Sequence, residues 1–105
     1  MDFEDKRIRI INFDLDTNKL KAIYPNTSVA YKKIRTTMNA EGFDKWQYSG
    51  YISREEISRF DLNDTVKRIT KANPWLQACT KRIGVTVAED DTDLLFFVKK
   101  VKTNS

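Results

Sequence analysis

Histidine is absent from this 105-residue chain. Serine–histidine triads, histidine zinc sites and paired-histidine acid–base chemistry are therefore excluded. Cysteine occurs once, as Cys79, so neither an intrachain disulfide nor a thiolate metal cluster can form. A secreted scaffold held by disulfides is excluded with it, and a reducing compartment fits better. Two prolines and three glycines are too few for a fibrous or low-complexity chain, and no internal repeat is visible. The longest apolar run, Leu94 to Val98, is far too short to cross a bilayer, and the opening Met1-Asp2-Phe3-Glu4-Asp5 is acidic where a signal peptide is basic. The expected setting is cytoplasmic, with no membrane association.

What is present describes a globular chain. A hydrophobic fraction of 40% with 32% charged residues provides for one core, and the length provides for one domain over residues 1–105. Nineteen Lys and Arg against fifteen Asp and Glu leave a net charge of +4. This mild basic excess permits a nucleic-acid partner without requiring one.

The row RIRIINFDLD over residues 7–16 sets Ile8, Ile10, Ile11, Phe13 and Leu15 on both faces of a strand, the pattern of a central buried one. Residues 17–25 read as a polar, basic loop. Pro25 and the caps Asn26, Thr27 and Ser28 then introduce a helix over 28–41, with Tyr31, Ile34 and Met38 on its inner face and Gly42 at its left-handed end. Trp46, Tyr48, Tyr51 and Ile52 around Ser49-Gly50 predict a hairpin bending at the glycine. Asp61 reads as the cap of a second helix over 62–72, built on Leu62, Val66 and Ile69 and stopped by Pro74. Residues 76–87 read as a fourth strand that buries Cys79 as a small core residue. The segment 93–101 is too short and too apolar for periodicity to decide between strand and helix. The order β-α-β-β-α-β is the ferredoxin-like arrangement, an α+β fold of two helices on a four-stranded antiparallel sheet. Its core spans about 7–89, with 92–105 as a C-terminal extension. A monomer leaves the second sheet face uncovered, which predicts a homodimer.

Several short strings go beyond fold arithmetic. FDLDTNKL over 13–20, Tyr24-Pro25, Ala30-Tyr31, Gly42-Phe43 and Asn73-Pro74-Trp75 resemble virulence-associated protein D, the VapD family, along roughly residues 8–89. That resemblance implies a ferredoxin-like homodimer with endoribonuclease activity, in some members the toxin of a toxin–antitoxin pair, and hence an antitoxin protein as partner. A more distant likeness runs to the small ferredoxin-like nuclease subunit of the CRISPR adaptation complex. Phe13-Asp14 matches that family's aromatic–aspartate pair, and Gln47-Tyr48-Ser49-Gly50-Tyr51 matches its Gln-x-Ser-Val-Phe stretch except that Gly50 replaces valine. By resemblance Asp14 is the catalytic position, and the expected substrate is single-stranded or loop RNA.

Without histidine, phosphodiester cleavage falls to carboxylates, a carboxylate-bound metal, or Lys, Arg, Tyr and Ser. Asp14 and Asp16 are the candidate catalytic pair, because residues two apart on a strand share a face. Asp14 is also the candidate ligand for Mg²⁺ or Mn²⁺, with a two-fold axis bringing its counterpart toward the same ion. The competing structural reading is that either aspartate binds backbone amides of the Thr17-Asn18 turn. Lys19, Lys21, Lys45 and Arg54 are candidate phosphate contacts, Tyr48 or Tyr51 candidate stacking platforms, and Ser49 a candidate phosphate contact or orienting group for Asp14. A non-catalytic dimeric module that binds nucleic acid or assembles on the same fold is the rival reading.

Overall fold

The structure is a computed structural model that describes residues 5–88. Its elements are β1 (Arg9–Leu15), α1 (Thr17–Ile23), α2 (Thr27–Ala40), β2 (Phe43–Lys45), β3 (Gly50–Ser53), α3 (Arg59–Ala72), α4 (Leu76–Cys79) and β4 (Thr80–Val87). All strands pair antiparallel in the order β2-β3-β1-β4, which is the ferredoxin-like sheet with β1 central. The predicted extension at 92–105 lies outside the described residues.

Register sorts the side chains between the two faces. Ile11 pairs with Tyr51 and Val85, so the odd positions of β1 face the helices. Ile11, Phe13, Phe43 and Tyr51 meet Ile34 and Met38 of α2 and Leu62 and Ile69 of α3 in one core. Each such buried side chain contributes about 1.5–3 kcal/mol from its removal from water. The spacing of Ala30, Ile34 and Met38 makes one stripe on α2, and Leu62, Thr65 and Ile69 make the matching stripe on α3. Asn73 then ties the two helices together: its Nδ2 donates to Thr37 Oγ1 at 3.0 Å and to Ile69 O at 3.2 Å.

Several boundaries differ from the sequence reading, each for a local reason. The loop expected over 17–25 is the helix α1. Asp16 caps it, and a single apolar residue, Leu20, seats it with no exposed surface. The cap of α3 is Ser58, whose hydroxyl accepts from Asp61 N at 3.0 Å; Asp61 stands in the first turn. The predicted fourth strand is divided, because Pro74 and Trp75 start the short turn α4 before the chain extends at Thr80. The hairpin bends over residues 46–49 instead of at Gly50, and Tyr48 takes the left-handed conformation with φ +53°. Gly42, at φ +89°, ends α2 as expected.

A second small cluster fixes the end of β1. Leu20, Ala30 and Cys79 are fully buried against Leu15, Tyr24 and Trp75. Tyr24 and Trp75 meet edge to face, 5.5 Å between ring centroids and 77° between planes. Asp16 N donates to Cys79 O at 2.7 Å. The Tyr24-Pro25 and Asn73-Pro74-Trp75 strings thus form the clamp that holds the β1 exit in place.

Candidate active site

The face of the sheet turned away from the helices changes character along β1. Ile10 pairs with Ile52, and beyond it the row becomes polar and bare. Asn12 stands between Gly50 of β3 and Gly84 of β4, and Asp14 stands opposite Arg82. Asn12 leans toward β3: its Oδ1 lies 2.6 Å from where a Cβ on Gly50 would stand. On the β4 side an open recess of about 290 Å³ is lined by Asn12, Phe13, Asp14, Arg82, Gly84, Val85 and Thr86. Asp14 is exposed at its edge and engages no hydrogen bond or ion pair among the described residues.

Asp16 does different work. A register shift between Asp14 and Leu15 breaks the two-residue alternation, so the two carboxylates do not project as a strand pair. Asp16 Oδ1 accepts from Asn18 N and Lys19 N, each at 3.1 Å, as the N-cap of α1. These amide donors, Lys19 N foremost, hold its carboxyl below the ordinary carboxylate value, and the charges of Lys81 and Lys19 add to the effect. Asp16 is thus engaged through Oδ1 as the cap of α1, while Asp14 carries no such commitment.

The remaining candidates separate in space. The Ser49 carbonyl accepts from Phe13 N at 3.3 Å, which places the exposed hairpin tip beside the residue before Asp14. Lys19 is exposed in the first turn of α1, at the same end of the sheet. Lys45, however, is drawn in under the tip. Its Nζ donates to Trp46 O at 2.8 Å and to Tyr48 O, and sits 5.4 Å from the centroid of the Tyr51 ring. Burial lowers its pKa, and the nearby Arg35 charge lowers it further. Lys45 thus staples the turn through these carbonyls.

Tyr51 also lies inside the fold. It is 4% exposed, packs edge to face on Phe13 with 6.1 Å between centroids, and has no ring face to offer a base. Burial pushes its hydroxyl pKa up. Tyr48, at 95% exposure, is the aromatic at the tip that is free to stack. Arg54 pairs with Asp44 at 2.9 Å and continues β3 toward the start of β1. It stands level with Ile8 in that register, six residues or about 20 Å from Asp14. Arg82, Asn12 and Gly84 are the site residues that sequence reasoning missed. Asn12 shares the face of Asp14 by the alternation of β1, whereas only the pairing register between β1 and β4 brings Arg82 and Gly84 to it, and no local pattern encodes that register.

The donor set bears on metal binding. Among the described residues no group of three or more His, Cys, Asp or Glu converges. Asp14 is a single carboxylate facing a guanidinium across the ladder, whereas a resident Mg²⁺ or Mn²⁺ centre needs several oxygen ligands. Within one protomer the described residues therefore supply Asp14 alone as a carboxylate ligand at this site.

The protein is thus an α+β domain of ferredoxin-like topology with an exposed carboxylate near the end of β1, beside a recess lined by an arginine. No family model matches the chain. Two curated proteins do. It is 36% identical over 92 residues to the endoribonuclease VapD homolog of Helicobacter pylori, covering 87% of this chain and 96% of that one. It is 31% identical over 87 residues to endoribonuclease VapD 2 of Riemerella anatipestifer, covering 81% and 93% respectively. The chain belongs to the VapD family. No helix among the described residues is long and apolar enough to cross a membrane.

Proposed function

We propose that this protein is an endoribonuclease with Asp14 as its reacting carboxylate. The observation that carries the reading is the division of labour between two neighbouring aspartates: Asp16 is committed to a helix cap, while Asp14 stands exposed and unpaired beside the recess. The two curated relatives, both named endoribonucleases and aligned over most of this chain, support it.

In this account Asp14 accepts the proton of the attacking hydroxyl as that oxygen bonds to phosphorus. The P–O bond to the leaving nucleotide breaks, and the leaving oxygen takes a proton from solvent. Lys19 offsets phosphate charge at the β1 exit, Ser49 donates to a phosphate oxygen from the hairpin tip, and Tyr48 stacks on an unpaired base. Stacking on an exposed tip favours single-stranded or loop RNA over a closed helix. Any Mg²⁺ or Mn²⁺ in the reaction would be one that the RNA phosphates share with Asp14.

A homodimer is part of the proposal. β4 pairs on one side only among the described residues, and Val85 and Val87 on this edge strand are 42% and 38% exposed. The toxin-type or virulence role, with an antitoxin as partner in the cytoplasm, rests on family membership.

The test is a circular RNA incubated with purified protein. Opening to a linear product that Asp14→Asn fails to form supports the proposal. An intact circle with the parent protein contradicts it. Growth arrest on induction of the parent gene but not of Asp14→Asn supports the toxin-type role.

A further inference from the structure

Gly84 sits in the middle of an eight-residue strand, where glycine weakens the ladder and offers no side chain to pack. Two ordinary reasons for a glycine are missing. Its φ lies outside the left-handed region, and a Cβ built on it meets nothing within 4 Å. Gly50, on the other side of Asn12, is the opposite case, with Asn12 Oδ1, Gln47 O and Trp46 Cδ1 all within 3.2 Å of its Cβ position. What the absence of a side chain at Gly84 preserves is space, since Gly84 lines the recess beside Asp14. At about 290 Å³ that recess is at the small end of ligand sites, which begin near roughly 300 Å³.

The polar groups around it are arranged for an anionic guest. Arg82 is exposed, opposite Asp14 in the ladder, with no ion pair or hydrogen bond among the described residues. Lys81 and Lys19 are near enough to act on the Asp16 carboxyl at the same end of the sheet. Thr86 adds a hydroxyl on the far side. We infer that the recess over Gly84 seats one nucleotide of the RNA strand, with Arg82 holding its phosphate next to Asp14. A guanidinium binds a phosphate through a two-pronged, charge-assisted pair, which also fixes where phosphorus stands. The free Arg82 and the bare Gly84 then have one common purpose. This inference rests on the endoribonuclease reading, in that it identifies where that RNA lies.

The experiment measures binding apart from cleavage. A fluorescent 2′-fluoro RNA oligonucleotide, in which fluorine replaces each 2′-hydroxyl, is titrated with the parent protein, Gly84→Leu, Arg82→Gln and Arg54→Gln, and the melting of each protein is recorded. Gly84→Leu fills the recess, and Arg82→Gln removes its cation. Each is expected to weaken binding about tenfold or more at an unchanged fold. Arg82→Gln also lowers the slope of log affinity against log salt by about 0.7, the value for one phosphate contact on a single strand. Arg54→Gln binds like the parent. If Gly84→Leu proves unstable, Gly84→Ala, which adds one methyl group, serves in its place and shows a smaller loss in the same direction. Parent-like affinity in both Gly84 and Arg82 variants overturns the inference, even if the parent cleaves RNA and the activity stands. Loss of affinity in both variants, with a parent that binds but never cleaves, sustains the nucleotide seat while the activity falls. A parent that neither binds nor cleaves overturns both.

Discussion

One methyl group placed on either side of Asn12 separates the packing account from chance. In Gly50→Ala the new Cβ meets Asn12 Oδ1 at 2.6 Å, the Gln47 carbonyl at 3.1 Å and Trp46 Cδ1 at 3.2 Å. The amide side chain of Asn12 can rotate away, but the Gln47 carbonyl cannot, because it accepts from Gly50 N at 2.9 Å and closes the turn. Forcing a methyl into such a site costs about 1–3 kcal/mol. In Gly84→Ala nothing stands within 4 Å, and the residue needs no left-handed backbone. Replacing that glycine stabilises by about 0.4–1 kcal/mol through a less flexible unfolded chain. The two variants therefore differ by about 1.5–4 kcal/mol. At about 4–8 °C per kcal/mol, even the low end of that range separates their melting temperatures by several degrees, with opposite signs about the parent. Thermal melting followed by far-ultraviolet circular dichroism, with urea unfolding to confirm the free energy, reads the difference. Equal shifts for the two variants, or a more stable Gly50→Ala, refute the packing around Asn12 and the recess that follows from it.

Other consequences are open to direct measurement. The Asp16 carboxyl is held below the ordinary 3.8 by the amides of Lys19 and Asn18, so folding disfavours its protonation. Its stabilisation is complete above the unfolded value and disappears as pH falls through the lower folded one. Asp16→Ala should accordingly melt below the parent at neutral pH and converge with it in acid below 3.8; a gap independent of pH contradicts the cap. Ser58→Ala removes the acceptor for Asp61 N and should cost about 1 kcal/mol in urea unfolding, with no change in RNA affinity. Tyr48→Gly relieves a left-handed tyrosine and leaves stability unchanged or raised. The same change weakens RNA binding by the roughly 1–3 kcal/mol of one stacked base, and unchanged affinity removes Tyr48 from the interface.

The architecture was legible because its signals are local or periodic. The apolar run of residues 8–15 marks the central strand, the stripes of Ile34 and Met38 and of Leu62 and Ile69 mark the two main helices, and Gly42 marks a helix end. α1 was not legible, since its seven residues carry one fully buried side chain, Leu20, and no repeat that a window can detect. Asp14 and Asp16 looked alike in the sequence. A register shift between Asp14 and Leu15 sets them apart, and such shifts depend on the partner strand β4. The inward placement of Tyr51 and Lys45 was not legible, because alternation tells which residues share a face but not which face receives the helices. Arg82 and Gly84 lie about 70 residues from Asp14 and reach it only through ladder pairing.

The central claim is that Asp14, and not its neighbour, is the reacting carboxylate. Cleavage of one end-labelled RNA by Asp14→Asn and Asp16→Asn, prepared together with the parent, tests it most directly. Asparagine caps a helix about as well as aspartate, so both variants should fold and melt close to the parent. The account predicts that Asp14→Asn loses about 10²-fold or more in rate, the scale of a missing general base, while Asp16→Asn cleaves at nearly the parent rate. A folded Asp14→Asn that cleaves as the parent does, or an Asp16→Asn that is equally inactive, would contradict it.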